Sequence, residues 1–267
     1  VSGRLGTLTF GMQGEIFAAT GLNEAGLWLH YNWLPAFDLP TGEAWTPYAL
    51  LTEMLETCQS IDQVETILKE TRRSGGMLIF AAEQNATKSG AALLECAPQS
   101  VIRTDLTGKY LAGTNHYLAL SPSQPPEIYA CNSVERLHAI EMALSTLPES
   151  PQAEDLIGVL ADPKVEQHQP DYGTVTSNLA CLNRRECWFT FGGFPAASCG
   201  RWEQVTWPFK SKDSPDFKKF SIILEANIPH DVRPFQDHLF PGVLQPGVGL
   251  SPTRQHGIQQ QPAIGKE

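Results

Sequence analysis

The sequence lacks the features that define membrane and nucleic-acid-binding proteins. Its apolar runs fall far short of the roughly 20 residues that a membrane-spanning helix needs, so we expect no membrane span. Basic residues are scarce, with 19 Lys and Arg against 29 Asp and Glu, and the formal net charge is -10. This charge argues against nucleic acid or an anionic membrane surface as the main partner.

The sequence also lacks the short motifs of several common enzyme classes. It has no P-loop and no G-x-G-x-x-G, so nucleotide binding has no support. It has no G-x-S-x-G and no H-E-x-x-H, which leaves serine-hydrolase and zinc-protease chemistry without a signature. We therefore expect no cofactor and no metal.

The cysteines do not form a recognisable framework. No C-x-x-C pair occurs, and none of the six lies at zinc-ligand spacing with His. Six cysteines in 267 residues do not indicate a disulfide scaffold. We interpret them as free, mostly buried thiols: Cys58, Cys96, Cys131, Cys181, Cys187 and Cys199.

No signal peptide is visible, which favours a cytoplasmic location. The chain begins at Val1 and passes almost directly into strand-like sequence, so we expect its N-terminus to be incomplete and a targeting segment could precede it. Nothing in the sequence indicates an oligomeric state.

What the sequence does contain is a regular succession of strand and helix patterns. Short β-rich runs are predicted at 8–10, 15–20, 27–31, 77–82, 91–96, 100–104, 110–114, 174–182 and 186–191. A turn is predicted at 21–26. Runs of strands separated by runs of helices favour an α+β layered domain over a wound parallel sheet.

Four helices are predicted from caps and apolar spacing. Thr46-Pro47 is typical of a helix start, and Ser60 to Gln63 fits a capping box. Two further helices are predicted behind Ser133 and at 151–161. Beyond about Pro208 the sequence becomes rich in Pro and Gln, so we predict one domain over 1–207 and a largely disordered tail over 208–267.

Three polar residues stand where structure alone does not require them. Asn32 ends one predicted strand and Asn115 ends another, although Asn is a poor strand former. Arg136 lies in the first turn of a predicted helix, where the helix dipole disfavours a cation. Two interpretations stay open: turn residues with a surface arginine, or amides that donate to a developing oxyanion beside an arginine that organises them. His30 and His116 lie nearby, and we expect a structural role for each.

The order of five segments resembles one protein family. They are GLNEAGLWLHYN, LLTEMLETCQSIDQVETILKE, MLIFAAEQNATKSGAALLEC, LAGTNHYL and NSVERLHAIEMAL. Together they resemble the penicillin acyltransferase family of cysteine N-terminal-nucleophile hydrolases, which is related to the choloylglycine hydrolases. The similarity covers roughly residues 5 to 205.

The resemblance implies an αββα sandwich of two antiparallel sheets between helical layers. It implies that Asn32 is an oxyanion-hole donor, Asn115 a second amide of the site, and Arg136 its organiser. It also implies a cysteine nucleophile at the start of the mature chain, which attacks an amide or thioester carbonyl. The partner would be a small-molecule amide or acyl substrate, with an acyl-coenzyme A donor as one option.

The departure from the family concerns the nucleophile, because none of the six cysteines lies where the family places it. One hypothesis is that the intact parent protein is an amide-bond hydrolase or acyltransferase. A second is a catalytically inactive, truncated paralogue that keeps the fold as a small-ligand-binding or vestigial domain. A third is a fragment that does not fold alone.

Overall fold

The structure, a computed structural model, describes residues 3–11, 19–36, 42–86, 88–120, 132–169, 172–205 and 207–209. Two antiparallel sheets and five helices form this part of the chain. The larger sheet contains, in chain order, β1 (Thr7–Phe10), β2 (Thr20–Asn23), β3 (Leu27–Leu34), β4 (Gly76–Gln84), β5 (Ser89–Cys96) and β6 (Val101–Asp105). The smaller sheet contains β7 (Asn178–Cys181), β8 (Glu186–Phe191) and β9 (Arg201–Val205). The predicted α+β class with two antiparallel sheets is confirmed.

Two helices cover one face of the larger sheet. Helix α1 (Pro47–Thr57) begins where the Thr46 hydroxyl accepts from the Ala49 N–H at 3.4 Å, and α2 (Ile61–Glu70) begins where Ser60 accepts from Gln63 N–H at 3.3 Å. Both predicted helix starts are thus confirmed. The apolar stripes of the two helices pack against alternate residues of β3, β4 and β5 to form the main core.

The other face of the larger sheet packs against the smaller sheet. Phe10 of β1 stacks on Phe189 of β8 with ring centroids 5.1 Å apart. Leu22, Cys187 and Phe209 are buried in the same cluster. Phe209 comes from the start of the predicted tail, and residues 210–267 lie outside the described residues. The division into 1–207 and 208–267 therefore stays a prediction.

The remaining helices are α3 (Ser133–Thr146), α4 (Ala153–Leu160) and the short α5 (Ala196–Cys199). Helix α4 contacts α3, α5 and β7. Helix α3 is weakly packed: only Ser133 is buried, and the side chain of Val134 is 56% exposed. Within the described ranges, no helix is long and apolar enough to cross a membrane.

The structure corrects several sequence predictions. The predicted turn at 21–26 is wrong in its first half, because β2 extends to Asn23 and pairs with both β1 and β3. Gly21 permits the close approach of β1 and α1, since a Cβ there would lie 2.9 Å from the Leu8 carbonyl oxygen and 2.6 Å from a methyl of Leu55. The predicted strand at 15–20 lies largely outside the described residues, and Cys131 does too.

One predicted strand is absent, and another is shorter than predicted. Residues 110–114 are irregular, and in the predicted strand at 174–182 only Asn178–Cys181 forms a ladder. In both segments side chains replace ladder partners: Thr114 donates to the Ser133 carbonyl oxygen, and Ser177 N–H donates to the Thr190 hydroxyl. Strand β9 and helix α5 were not predicted.

Candidate active site

The alternation of side chains along β3 places two polar residues in a cavity. Leu29 and Tyr31 face the core beneath α1 and α2, so His30 and Asn32 face the opposite side. The cavity there has a volume of about 480 Å³. Its walls are partly apolar. Its polar atoms come from β3, from α3 and from residues 111–114, 165–166 and 174–178. Among its lining residues are Trp28, His30, Asn32, Phe80, Leu111, Thr114, Arg136, Ile140, Glu166 and Asn178.

Asn32 is held at both ends of its side-chain amide. Its Oδ1 lies 3.1 Å from Nε2 of His30, and its Nδ2 donates to the carbonyl oxygen of Thr114 at 3.4 Å. The second N–H of this amide is uncommitted among the described residues and can donate to a ligand in the cavity. Asn32 therefore has the fixed, neutral donor that an oxyanion hole requires.

His30 is enclosed by protein on the side away from the cavity. Its Nδ1 bonds the hydroxyl of Thr20, and its ring stacks on Trp28 with centroids 5.9 Å apart. Burial lowers the pKa of His30 from 6.5 to about 4, against a smaller opposite effect of the bond to Asn32. The imidazole is therefore neutral at physiological pH.

Trp28, which also lines this cavity, contains a buried donor. Its Nε1 is buried, and none of the described residues accepts a hydrogen bond from it. A buried donor without a partner costs about 1–3 kcal/mol.

Asn115 lies beside the cavity and holds Arg136. Its Nδ2 donates to the Trp33 carbonyl oxygen at 2.9 Å, and its Oδ1 accepts from Nη2 of Arg136 at 2.6 Å. The Asn115 N–H donates to the hydroxyl of the buried Ser133 at 2.8 Å. The structure thus brings Asn115 next to Arg136, while only Asn32 and Arg136 of the predicted trio line the cavity.

Arg136 is a partly buried cation bound by neutral oxygens. Besides Asn115, its Nε donates to Oδ1 of Asn132 at 3.0 Å. Burial lowers the pKa of the guanidinium from 12.5. Within the described part of the chain no carboxylate forms a salt bridge with it, so a ligand carboxylate or developing oxyanion would meet an uncompensated positive charge.

The segment that carries Asn115 is fixed by a residue that the sequence did not reveal. Glu95 is 1% exposed, and its carboxylate accepts from the N–H groups of Leu118, Ala119 and Leu120 at 2.8–3.1 Å. Tyr117 Oη also donates to the Pro35 carbonyl oxygen at 2.9 Å. Since these anchors come from distant parts of the chain, no local pattern could have identified them.

Ser133 and His116 form the most nucleophile-like pair near the cavity, with Nδ1 of His116 2.8 Å from Oγ of Ser133. Ser133 is fully buried, however, and its hydroxyl is also bonded by Thr114 and by the N–H of Asn115. A hydroxyl so enclosed cannot reach a substrate, and we assign the pair a structural role.

The described cysteines do not supply a nucleophile to this cavity. None of them lines it. Burial raises the pKa of Cys58 and Cys187 to about 11 and that of Cys96 to about 12, which suppresses the reactive thiolate. In the parts of the chain that the structure covers, no group of three or more His, Cys, Asp or Glu could hold a metal ion.

Solved structures of three hydrolases are similar to this chain at low identity. Penicillin V acylase from Agrobacterium tumefaciens is 14% identical with a TM-score of 0.48, and the match covers 71% of this chain and 66% of that one. Conjugated bile acid hydrolase from Clostridium perfringens is 12% identical with a TM-score of 0.49, covering 80% of each chain. The N-acylethanolamine-hydrolyzing acid amidase orthologue from Caenorhabditis elegans is 10% identical with a TM-score of 0.42, covering 70% of this chain and 80% of that one.

These likenesses are too distant to establish a shared activity. No curated protein sequence matches the chain significantly. The sequence profile of one family does match, over residues 6–194. That range contains Asn32, Asn115 and Arg136 and most of the chain. The protein belongs to the acyl-coenzyme A:6-aminopenicillanic acid acyl-transferase family.

Proposed function

We propose that the chain forms the acyl-binding and oxyanion-stabilising part of an amide-bond hydrolase or acyltransferase that acts through a cysteine acyl-enzyme. The observation that carries the proposal is the Asn32 amide, which is fixed by His30 and Thr114 and keeps one N–H for the cavity. Family membership supports the reaction type. Because none of the described cysteines lines the cavity, the thiol comes from outside the described residues.

Each residue of the trio has a separate role in this proposal. Asn32 donates to the oxyanion that forms when a thiolate attacks the substrate carbonyl. Arg136 provides positive charge at the same wall, and Asn115 orients the guanidinium through its Oδ1. Asn115 thus acts on the substrate only through Arg136, as a positioning residue.

The cavity favours an apolar acyl group. Trp28, Phe80, Leu111 and Ile140 supply apolar wall, and a volume of about 480 Å³ accommodates a small molecule. An acyl-coenzyme A donor fits the family description, but only its acyl end would enter this cavity.

The first test uses the intact parent protein that supplies the thiol, and measures its hydrolysis of penicillin V, a conjugated bile acid and an N-acylethanolamine, the compounds named for the similar structures. We expect turnover of at least one, abolished by thiol alkylation.

Asn32→Ala should lower kcat by about 10²–10³-fold with little change in KM, because the lost donor acts mainly in the transition state. Asn115→Ala should lower kcat less. Asn183→Ala, an exposed amide outside the cavity, is the matched control.

A second candidate function is ligand binding without chemistry, as in an inactive paralogue. Two observations favour it: none of the described cysteines lines the cavity, and burial raises the pKa of Cys58, Cys96 and Cys187. Binding of an N-acyl compound that quenches Trp28 fluorescence, without turnover and without sensitivity to alkylation, would select this function over the enzyme.

A further inference from the structure

Four side chains form a continuous line of hydrogen bonds from the smaller sheet to the cavity. Nδ2 of Asn178 in β7 lies 3.3 Å from the Thr20 hydroxyl in β2. That hydroxyl bonds Nδ1 of His30, and Nε2 of His30 lies 3.1 Å from Oδ1 of Asn32. The line ends where Asn32 meets the carbonyl oxygen of Thr114 at 3.4 Å.

The direction of every bond in this line follows from its last member. A backbone carbonyl can only accept, so the NH2 group of Asn32 faces Thr114 and its Oδ1 faces His30. Oδ1 can only accept as well, and Nε2 of His30 must therefore carry a proton. In the neutral ring Nδ1 is then the acceptor, and the Thr20 hydroxyl must donate to it. The Thr20 oxygen is left to accept from Asn178, which is the contact observed.

We propose that His30 is a positioning residue, held as the neutral Nε2–H tautomer by Thr20, that locks the Asn32 amide with its NH2 group toward the cavity. The consequence of this arrangement for the reaction rests on the proposed function, but the line of hydrogen bonds itself does not depend on turnover. The reversed tautomer would turn the Asn32 oxygen toward the Thr114 carbonyl oxygen, where two acceptors would face each other. It would also require the Asn178 amide to turn its oxygen toward Thr20, because the Thr20 hydroxyl would then have to donate there.

The line of hydrogen bonds preorganises the side-chain NH2 group of Asn32 as a donor. An asparagine amide that rotates freely presents its oxygen as readily as its NH2 group, and an oxygen would repel a developing oxyanion. The bond from His30 removes that alternative. The line also crosses from one sheet to the other, so the orientation of the amide depends on how the two sheets pack.

The direct test is the tautomer of His30 in the ¹⁵N-histidine-labelled full chain, read by long-range ¹H–¹⁵N correlation near pH 7. The signal is assigned by its loss in His30→Gln. We expect a protonated Nε2 and an unprotonated Nδ1. A protonated Nδ1 would overturn the proposal, whether or not the protein turns over any substrate.

The coupling to Asn32 is tested by its side-chain NH2 resonances. Thr20→Val removes the hydroxyl with little change in shape, and we expect it to shift the His30 and Asn32 side-chain signals together. Asn183→Ala, outside the line, should shift neither. Unchanged Asn32 signals in Thr20→Val would refute the line of bonds.

The consequence for catalysis separates a positioning role from a merely structural one. His30→Gln keeps an N–H near the position of Nε2 and should retain kcat within about tenfold, while His30→Phe should lower kcat by about 10²-fold with little change in KM. Combined with Asn32→Ala, His30→Phe should cause no further loss. Additive losses would overturn the positioning role. Turnover that is absent throughout, with the predicted tautomer intact, would instead count against the proposed function alone.

Discussion

The buried side chain of Asn23 connects the end of helix α1 to the turn between β2 and β3. The sequence predicts it as a turn residue, yet it is fully buried at the end of β2. Its Nδ2 donates to the carbonyl oxygens of Leu55 and Cys58 at 2.9 and 2.7 Å, and its Oδ1 accepts from the N–H groups of Ala25 and Leu27 at 3.1 Å. It therefore completes both the C-terminus of α1 and the turn that leads into β3.

We expect Asn23→Ala to lower the free energy of unfolding by about 3 kcal/mol, because it leaves buried backbone groups without partners. Urea denaturation measures this loss. Asn183→Ala, exposed in the β7–β8 turn, is the matched control and should change stability by less than about 0.5 kcal/mol. A loss below about 1 kcal/mol in Asn23→Ala would show that water replaces its bonds.

At the scale of elements, the irregular segment 111–120 depends on one carboxylate. Glu95 in β5 accepts hydrogen bonds from three consecutive N–H groups, which are not part of any β-ladder. This segment carries Thr114, whose carbonyl oxygen contacts Asn32 in the cavity, and Asn115, which orients Arg136. The geometry of the site thus depends on an anchor that lies outside the cavity.

Glu95→Gln should destabilise the protein by about 2 kcal/mol, because a neutral amide accepts these bonds less strongly and turns NH2 toward donors. Hydrogen exchange should accelerate at Leu118, Ala119 and Leu120. The exposed Glu149→Gln serves as the control. Unchanged exchange at the three amides in Glu95→Gln would mean that other contacts hold the segment.

At the scale of the whole molecule, the neutral state of His30 makes stability depend on pH. Its pKa is about 4 in the folded chain against 6.5 in the unfolded chain, so below pH 6.5 the unfolded state binds a proton that the folded state does not. Stability should fall between pH 6.5 and 4 by about 3 kcal/mol, at about 1.4 kcal/mol per pKa unit. Arg136 and Glu166 are the charged residues that line the same cavity.

Urea denaturation across this pH range measures the loss, and His30→Gln should remove most of it. If the wild-type and His30→Gln profiles were parallel, other groups would be responsible for the pH dependence.

The sequence predicted the elements whose signals are local. Helices α1 and α2 have their caps within three residues of their starts, so Thr46 and Ser60 were sufficient to place them. The two sheets follow from strand patterns and from the family resemblance. Short strand β9 escaped prediction, because its five residues are polar or charged at three positions and lack an apolar alternation.

The site was predictable only where a residue was locally anomalous. Asn32 and Arg136 stand out against a strand and a helix start, and the structure places both at one cavity. Thr20 and Asn178 do not stand out, because their contact joins positions 158 residues apart. Glu95 likewise reads as an ordinary strand residue until the segment that it anchors is folded against it.

Because side chains alternate along β3, one set of its residues supports the core and a different set lines the cavity. From Leu27 to Asn32 the odd-numbered residues pack beneath the helices and support the fold, and the even-numbered residues line the cavity. Under the proposed function, substitutions at Trp28, or at Phe80 on the adjacent strand, would change substrate preference while the helix-facing core keeps its packing. In directed evolution, a library confined to the cavity face would leave the core beneath α1 and α2 unchanged in every member.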